Sequence, residues 1–210
     1  MRARYLAFIR DKRFLGGLLI AGFAYATFFC CLANPLLEDN TASIVGLRYP
    51  KLFFAWQVLT GAALAFNLLA MYHTYRCPKP LRTLGKGAVW TALFCQPFMY
   101  FVHGDIIDGE VVFSDATKSV HWFFSILFMV AVFASMALLF LHARGLVKRF
   151  NVLFIFVSVV VVLMLLVFFT IGKSGLFEAI PLWTVYVLLF LINCTKAFAP
   201  PEKQSDGTLP

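Results

Sequence analysis

Polar residues in this chain are gathered into short clusters, and the stretches between them are apolar on every face. Six such stretches stand out: residues 14–32, 52–72, 87–102, 122–141, 152–171 and 179–194. A helix needs about 20 mainly apolar residues to cross the hydrocarbon core of a bilayer. None of the stretches alternates apolar and polar positions as a barrel strand does. In lipid, a chain must satisfy its own backbone donors, which leaves helices. The pattern predicts an all-α, polytopic integral membrane protein: a six-transmembrane-helix bundle within residues 1–198. The polar, proline-rich end APPEKQSDGTLP (199–210) is predicted to be a disordered cytoplasmic tail. The first stretch has full bilayer length, and no small-x-small site follows it before Pro35. It is read as an anchor and not as a cleaved leader.

Composition sharpens this picture. Apolar residues make up 61% of the 210 and charged residues only 13%, and there are 25 phenylalanines. A soluble domain is about a quarter charged, and one of this length has no interior large enough for so many apolar side chains. The net charge of +8 would suggest nucleic acid on a soluble domain. Here the cations lie in short loops, so anionic headgroups are the partner they fit, and no nucleic-acid partner is predicted. Of the 18 Lys and Arg, only Arg48, Lys51, Lys118 and Lys173 fall in one alternate set of loops; the rest fall in the other. Cationic loops stay in the cytoplasm, so both termini are predicted inside (N-in/C-in). The compartment is open between plasma membrane and endomembrane.

Acidic residues favour the opposite side. Glu38, Asp39, Asp105, Asp108, Glu110, Asp115 and Glu178 all belong to the predicted outer face. Gln96 and His103 are seven apart and share a stripe of the third helix. His121 and Ser125, four apart, share one on the fourth, which Ser135 continues. Histidines beside carboxylates can do acid–base work, bind a metal, or form a hydrogen-bonded plug or headgroup pocket. Candidate catalytic residues are His103, Asp105, His121 and Glu178. Candidate metal ligands are His103, Asp108 and His121. The candidate lipid-binding or structural network is Asp39, Gln96, His103, Asp105, His121, Ser125 and Glu178. His121 is expected to face the interior and to meet Glu178 or Asp105.

Pro97 follows Gln96 inside the third stretch, where it kinks a helix or opens a cavity. No phosphate-binding glycine loop, HExxH, GxSxG or CxxC occurs, and no cofactor is predicted. The five cysteines lie in or beside apolar runs and do not form an extracellular disulfide framework. No charged residue lies near the middle of any span, which argues against ion pumps and proton-coupled carriers.

The first outer loop reads LEDNTASIVGLRYPKLFF, with Asp39, Asn40, Thr41 and Pro50 ahead of a phenylalanine-rich helix. His121 opens the fourth span in SVHWFFS, and Glu178 opens the sixth in FEAIPLWTVY. In these features the chain resembles the Frag1/DRAM/Sfk1 group of six-helix membrane proteins. Ser125 stands where that group tends to have alanine, and its serine and glycine in the first loop are poorly matched. The resemblance implies a role in membrane-lipid handling. The expectation is therefore a protein that binds, remodels or distributes membrane lipids through its outer polar cluster. The alternatives are a non-catalytic scaffold or accessory subunit with a membrane-protein partner, and a small-solute channel or transporter.

Overall fold

The computed structural model describes residues 11–37, 40–100, 105–107, 110–112, 115–170 and 174–200; side chains at 100, 105–107, 110–112, 115–118, 165, 168 and 169 are excepted. These residues form helices α1 (Lys12–Cys30), α2 (Ala42–Arg48), α3 (Pro50–Thr74) and α4 (Lys79–Tyr100), then strands β1 (Asp105–Ile107) and β2 (Glu110–Val112). Helices α5 (Asp115–Ala143), α6 (Arg149–Thr170) and α7 (Gly175–Cys194) follow. The short helix α2 and the antiparallel β1–β2 hairpin, with Ile106 opposite Val111, are additions to the sequence-based picture.

Four of the helices are long and apolar enough to cross a bilayer: α1, α3, α7 and the Ser119–Ala143 part of α5. Their outer surfaces are apolar as well. On α6 the exposed residues include Val152, Ile155, Val162 and Leu166, and on α4 they include Leu84, Trp90 and Phe94. Water would penalise such a surface and lipid does not. The chain is a helical, membrane-embedded protein.

Helix α4 starts eight residues before its apolar run. Its first turns carry Lys79, Arg82 and Lys86, and Pro80 sits where a missing N–H costs no helical bond. At its other end Pro97 removes the bond to the Leu93 carbonyl. Helix α5 packs against α4 along the longest shared face. Helix α1 lies against α7 and α3, and α6 touches the bundle at α5 and α7.

The core is aliphatic and aromatic, built on residues such as Leu19, Ala63, Met71, Met136 and Leu189. Apolar packing alone gives little preference between helices surrounded by lipid tails. Close approach at small residues and interhelical hydrogen bonds supply it. Tyr72 of α3 donates to the Ser135 carbonyl at 2.6 Å, and the Ser135 hydroxyl donates to the Gly85 carbonyl of α4 at 3.2 Å. A Cβ at position 85 would overlap the Tyr72 hydroxyl, so α4 reaches this contact only with glycine there. Asn67, fully buried on α3, donates to the Leu15 carbonyl of α1 at 3.3 Å and accepts from Asn193 of α7 at 2.7 Å. Tyr186 of α7 donates to Thr60 of α3 at 2.9 Å.

The bundle has two unlike ends. At one, residues 195–200 form a strap after α7. Tyr75 donates to the Phe198 carbonyl at 2.7 Å, Arg149 donates to the Ala197 carbonyl at 2.9 Å, and the Phe198 ring lies against Phe150. Of the predicted tail at 199–210, only Ala199 and Pro200 are among the described residues. Ala199 belongs to a turn, its N–H bonding the Lys196 carbonyl at 3.2 Å. At the other end lie α2, the hairpin and the first turn of α7.

Candidate functional site

Glu178 sits in the first turn of α7, where the helix dipole favours a carboxylate. Its Oε2 accepts the backbone N–H of Ala42 at 2.6 Å. Ala42 is the first residue of α2, and the side chain of its N-cap, Thr41, caps no backbone N–H but pairs with the Ser43 hydroxyl at 3.2 Å. A helix leaves its first N–H groups without internal partners, and Glu178 supplies one acceptor from a different helix. The same junction holds a Leu176 N–H bond to the Pro35 carbonyl at 3.0 Å. Gly175 passes so close to the Asn40 carbonyl that a Cβ would come within 2.5 Å of that oxygen. Asn40 donates to the Asn34 carbonyl at 2.9 Å and receives Arg48 at 3.4 Å. The loop after α1 is thus sewn to the start of α7.

Behind this junction, Phe29 stacks on Trp56 with centroids 4.9 Å apart, and Phe53 completes the cluster. His121, half-buried near the start of α5, pairs through Nε2 with the Ser125 hydroxyl at 3.4 Å, one turn along the same helix. Ser135 belongs to a different place. Fourteen residues from His121, or about 21 Å along a helix, it forms the buried pin with Tyr72 and Gly85.

Gln96 is buried, with 9% of its surface exposed. Its amide lies against Gly61 of α3, where any Cβ would strike Oε1. Its Nε2 is buried and has no hydrogen-bond partner among the described residues. One turn earlier on α4, Ala92 and Leu93 line a small apolar cleft with Gly61, Leu64 and Leu68 of α3 and Phe128 of α5. Gln96 therefore places an unspent N–H donor beside an apolar cleft, next to the proline that interrupts α4.

Other candidates from the sequence are only partly visible. His103, Asp39 and Asp108 lie outside the described residues. Asp105 is placed by backbone alone, opposite Val112 in the hairpin. Among the described residues, no three His, Cys, Asp or Glu side chains converge on a metal-sized site.

Two ionisable groups outside the helices are shifted. Burial pushes the Cys77 thiol up to about 11, with Arg82 offsetting part of the effect, and burial also raises the Tyr75 phenol above its ordinary value.

Sequence reasoning missed the α2 cap and the Asn67–Asn193 bridge. The N-terminal donors of a seven-residue helix leave no hydropathy signal, so nothing in the sequence assigned Glu178 to α2. Asn67 and Asn193 could have been paired from being the one asparagine on each of two apolar helices. No protein-family model, curated protein or solved structure matches the chain.

Proposed function

We propose that this protein binds membrane lipid at the α2 end of its bundle, and that this end faces away from the cytoplasm. On this reading all six long helices span the bilayer, and the strap end with its cationic loops lies inside, a reading that the distribution of Lys and Arg supports. The observation that carries the proposal is Gln96. A buried amide N–H without a partner costs about 1–3 kcal/mol, a cost that a merely structural helix could avoid with leucine. A lipid ester or amide carbonyl supplies the missing acceptor, and the exposed apolar side chains of Phe94 and Phe98 on the same helix suit its chain. Glu178 fixes the loop over the same end, and His121 with Ser125 adds polar groups where headgroups lie. The role is lipid binding in support of remodelling or distribution.

The test is lipid retention. Full-length protein purified in mild detergent is extracted and its lipids are quantified by mass spectrometry against Gln96→Leu and His121→Ala. Wild type is expected to hold about one lipid per chain, and Gln96→Leu several-fold less, at unchanged yield. Equal retention by wild type and Gln96→Leu overturns the assignment. A protein partner co-purifying at fixed stoichiometry with no lipid would favour an accessory subunit instead.

A further inference from the structure

A second cleft opens at the strap end, where α1 begins and α3 and α7 end. Lys12, Thr74, Asn193 and Thr195 form its polar wall, and Leu15 and Ile192 are part of its apolar wall. Its chemistry follows from which hydrogens are already committed. Both Asn193 amide hydrogen bonds go to Asn67, to its Oδ1 at 2.7 Å and its carbonyl at 3.3 Å. Thr74 donates to the Ala70 carbonyl at 3.0 Å. Thr195 donates to the Leu191 carbonyl, and Tyr75, also on the lining, donates to the Phe198 carbonyl.

What these groups still offer is acceptor capacity: the Asn193 Oδ1, the Thr74 hydroxyl, and the second lone pair of the Thr195 hydroxyl, whose first accepts the Ala197 N–H at 3.2 Å. Among the described residues Lys12 is the one cation on the lining, and none of them lines the cleft with a carboxylate. A bare anion would meet Lys12 but face the acceptors unfavourably. A bare cation would meet the acceptors but also the lysine. A phosphodiester carrying a primary ammonium satisfies both, with phosphate on Lys12 and N–H groups on Asn193, Thr74 and Thr195. A quaternary choline has no N–H to give them. The apolar wall, on helices α1 and α7 that are long and apolar enough to cross a bilayer, suits the acyl chains.

We infer that this cleft is an aminophospholipid headgroup site, separate from the Gln96 site at the opposite end. The Cys194 thiol contact with the Lys12 carbonyl at 3.7 Å holds α1 to α7 beside it, so the polar wall is assembled by the fold before any lipid arrives.

The experiment uses the full chain delipidated in detergent and returned to mixed micelles containing phosphatidylethanolamine, phosphatidylcholine or phosphatidylglycerol with identical acyl chains. Bound lipid is counted by native mass spectrometry. Phosphatidylethanolamine is expected to bind about tenfold better than either competitor. Lys12→Gln is expected to abolish that preference, Lys12→Arg to keep it, and Lys86→Gln, outside the cleft, to leave it unchanged. Gln96→Leu is expected to leave it unchanged too, so failure at one end is distinguishable from failure at the other. Equal binding of the three lipids by wild type overturns the inference, whether or not Lys12→Gln folds. So does a preference that survives in folded Lys12→Gln. Competition by soluble phosphoethanolamine at concentrations equal to the lipid would overturn the lipid source, because the apolar wall would then contribute nothing.

Discussion

Replacing Gln96 with leucine should make the protein more stable. The wild-type side chain is buried, its Nε2 has no acceptor, and its Oε1 rests against Gly61. Removing the stranded donor returns about 1–3 kcal/mol. Losing the close contact of Oε1 with the Gly61 Cα removes about 0.5–1 kcal/mol. The two side chains have similar volume, so the cavity term is small. The net is a gain of about 1–2 kcal/mol in delipidated protein, close to a tenfold shift in the folding equilibrium. Equilibrium unfolding in mixed detergent micelles, followed by far-UV circular dichroism, measures it. In micelles supplied with lipid the gain should shrink, because bound lipid stabilises wild type through the interaction leucine lacks. Gly61→Ala should destabilise the wild type, since the new methyl strikes the Gln96 amide, yet cost much less in a Gln96→Ala background. If delipidated Gln96→Leu is less stable than wild type, the amide has a protein partner and the argument for a ligand there fails.

Gly85→Ala should cost about 2–3 kcal/mol in the same unfolding assay, because the added methyl overlaps a Tyr72 side chain held by Ser135; a stability equal to wild type would show that α4 can move freely away from α3. Glu178→Ala should speed hydrogen exchange at the first amides of α2 without affecting α3, whereas Glu178→Gln keeps an acceptor and should change exchange little. Cys77 should alkylate slowly at pH 7.5, with roughly 3 thiols in 10,000 ionised, and about tenfold faster per pH unit up to pH 10. The folded-state value of Cys77 is raised, so the stability it contributes is present below pH 9 and is lost as pH rises from 9 towards 11, an amount on the order of 2 kcal/mol.

Hydropathy made the apolar helices legible because lipid imposes one demand on every outward residue, and a run of some 20 residues carries that demand redundantly. It placed the start of α4 poorly. Lys79, Arg82 and Lys86 break the apolar run without breaking the helix, since long cationic side chains reach water from a helical backbone. It gave no sign of α2, whose seven residues depend on a carboxylate 136 positions away. The grouping of His121, Ser125 and Ser135 on one face respected angular spacing but ignored distance along the axis, and Ser135 belongs to the Tyr72 pin. Pro97 and Gln96 were visible as unusual neighbours in an apolar helix. Which way the amide points depends on α3 approaching at Gly61, and that is a property of packing.

The interior polar groups differ along the bundle in a way that bears on which parts can move. From Asn67 to the strap, each buried polar side chain in the pins is paired with another element: Asn67 donates to α1 and accepts from α7, Tyr72 donates to α5, and Tyr75 donates to the strap. Shifting any of these helices would strand polar groups in a medium that offers no replacement partners. Beyond Gly61 the arrangement changes. Helix α4 loses a backbone bond at Pro97, its Gln96 amide is unspent, and its contact with α3 there is a glycine surface. Bending the last turns of α4 therefore breaks no interhelical hydrogen bond of Nε2, while the α4–α5 anchor at Ser135 and Gly85 stays fixed. The contact such bending would disturb is apolar: the Phe98 ring stacked on Phe124 of α5 at 4.2 Å.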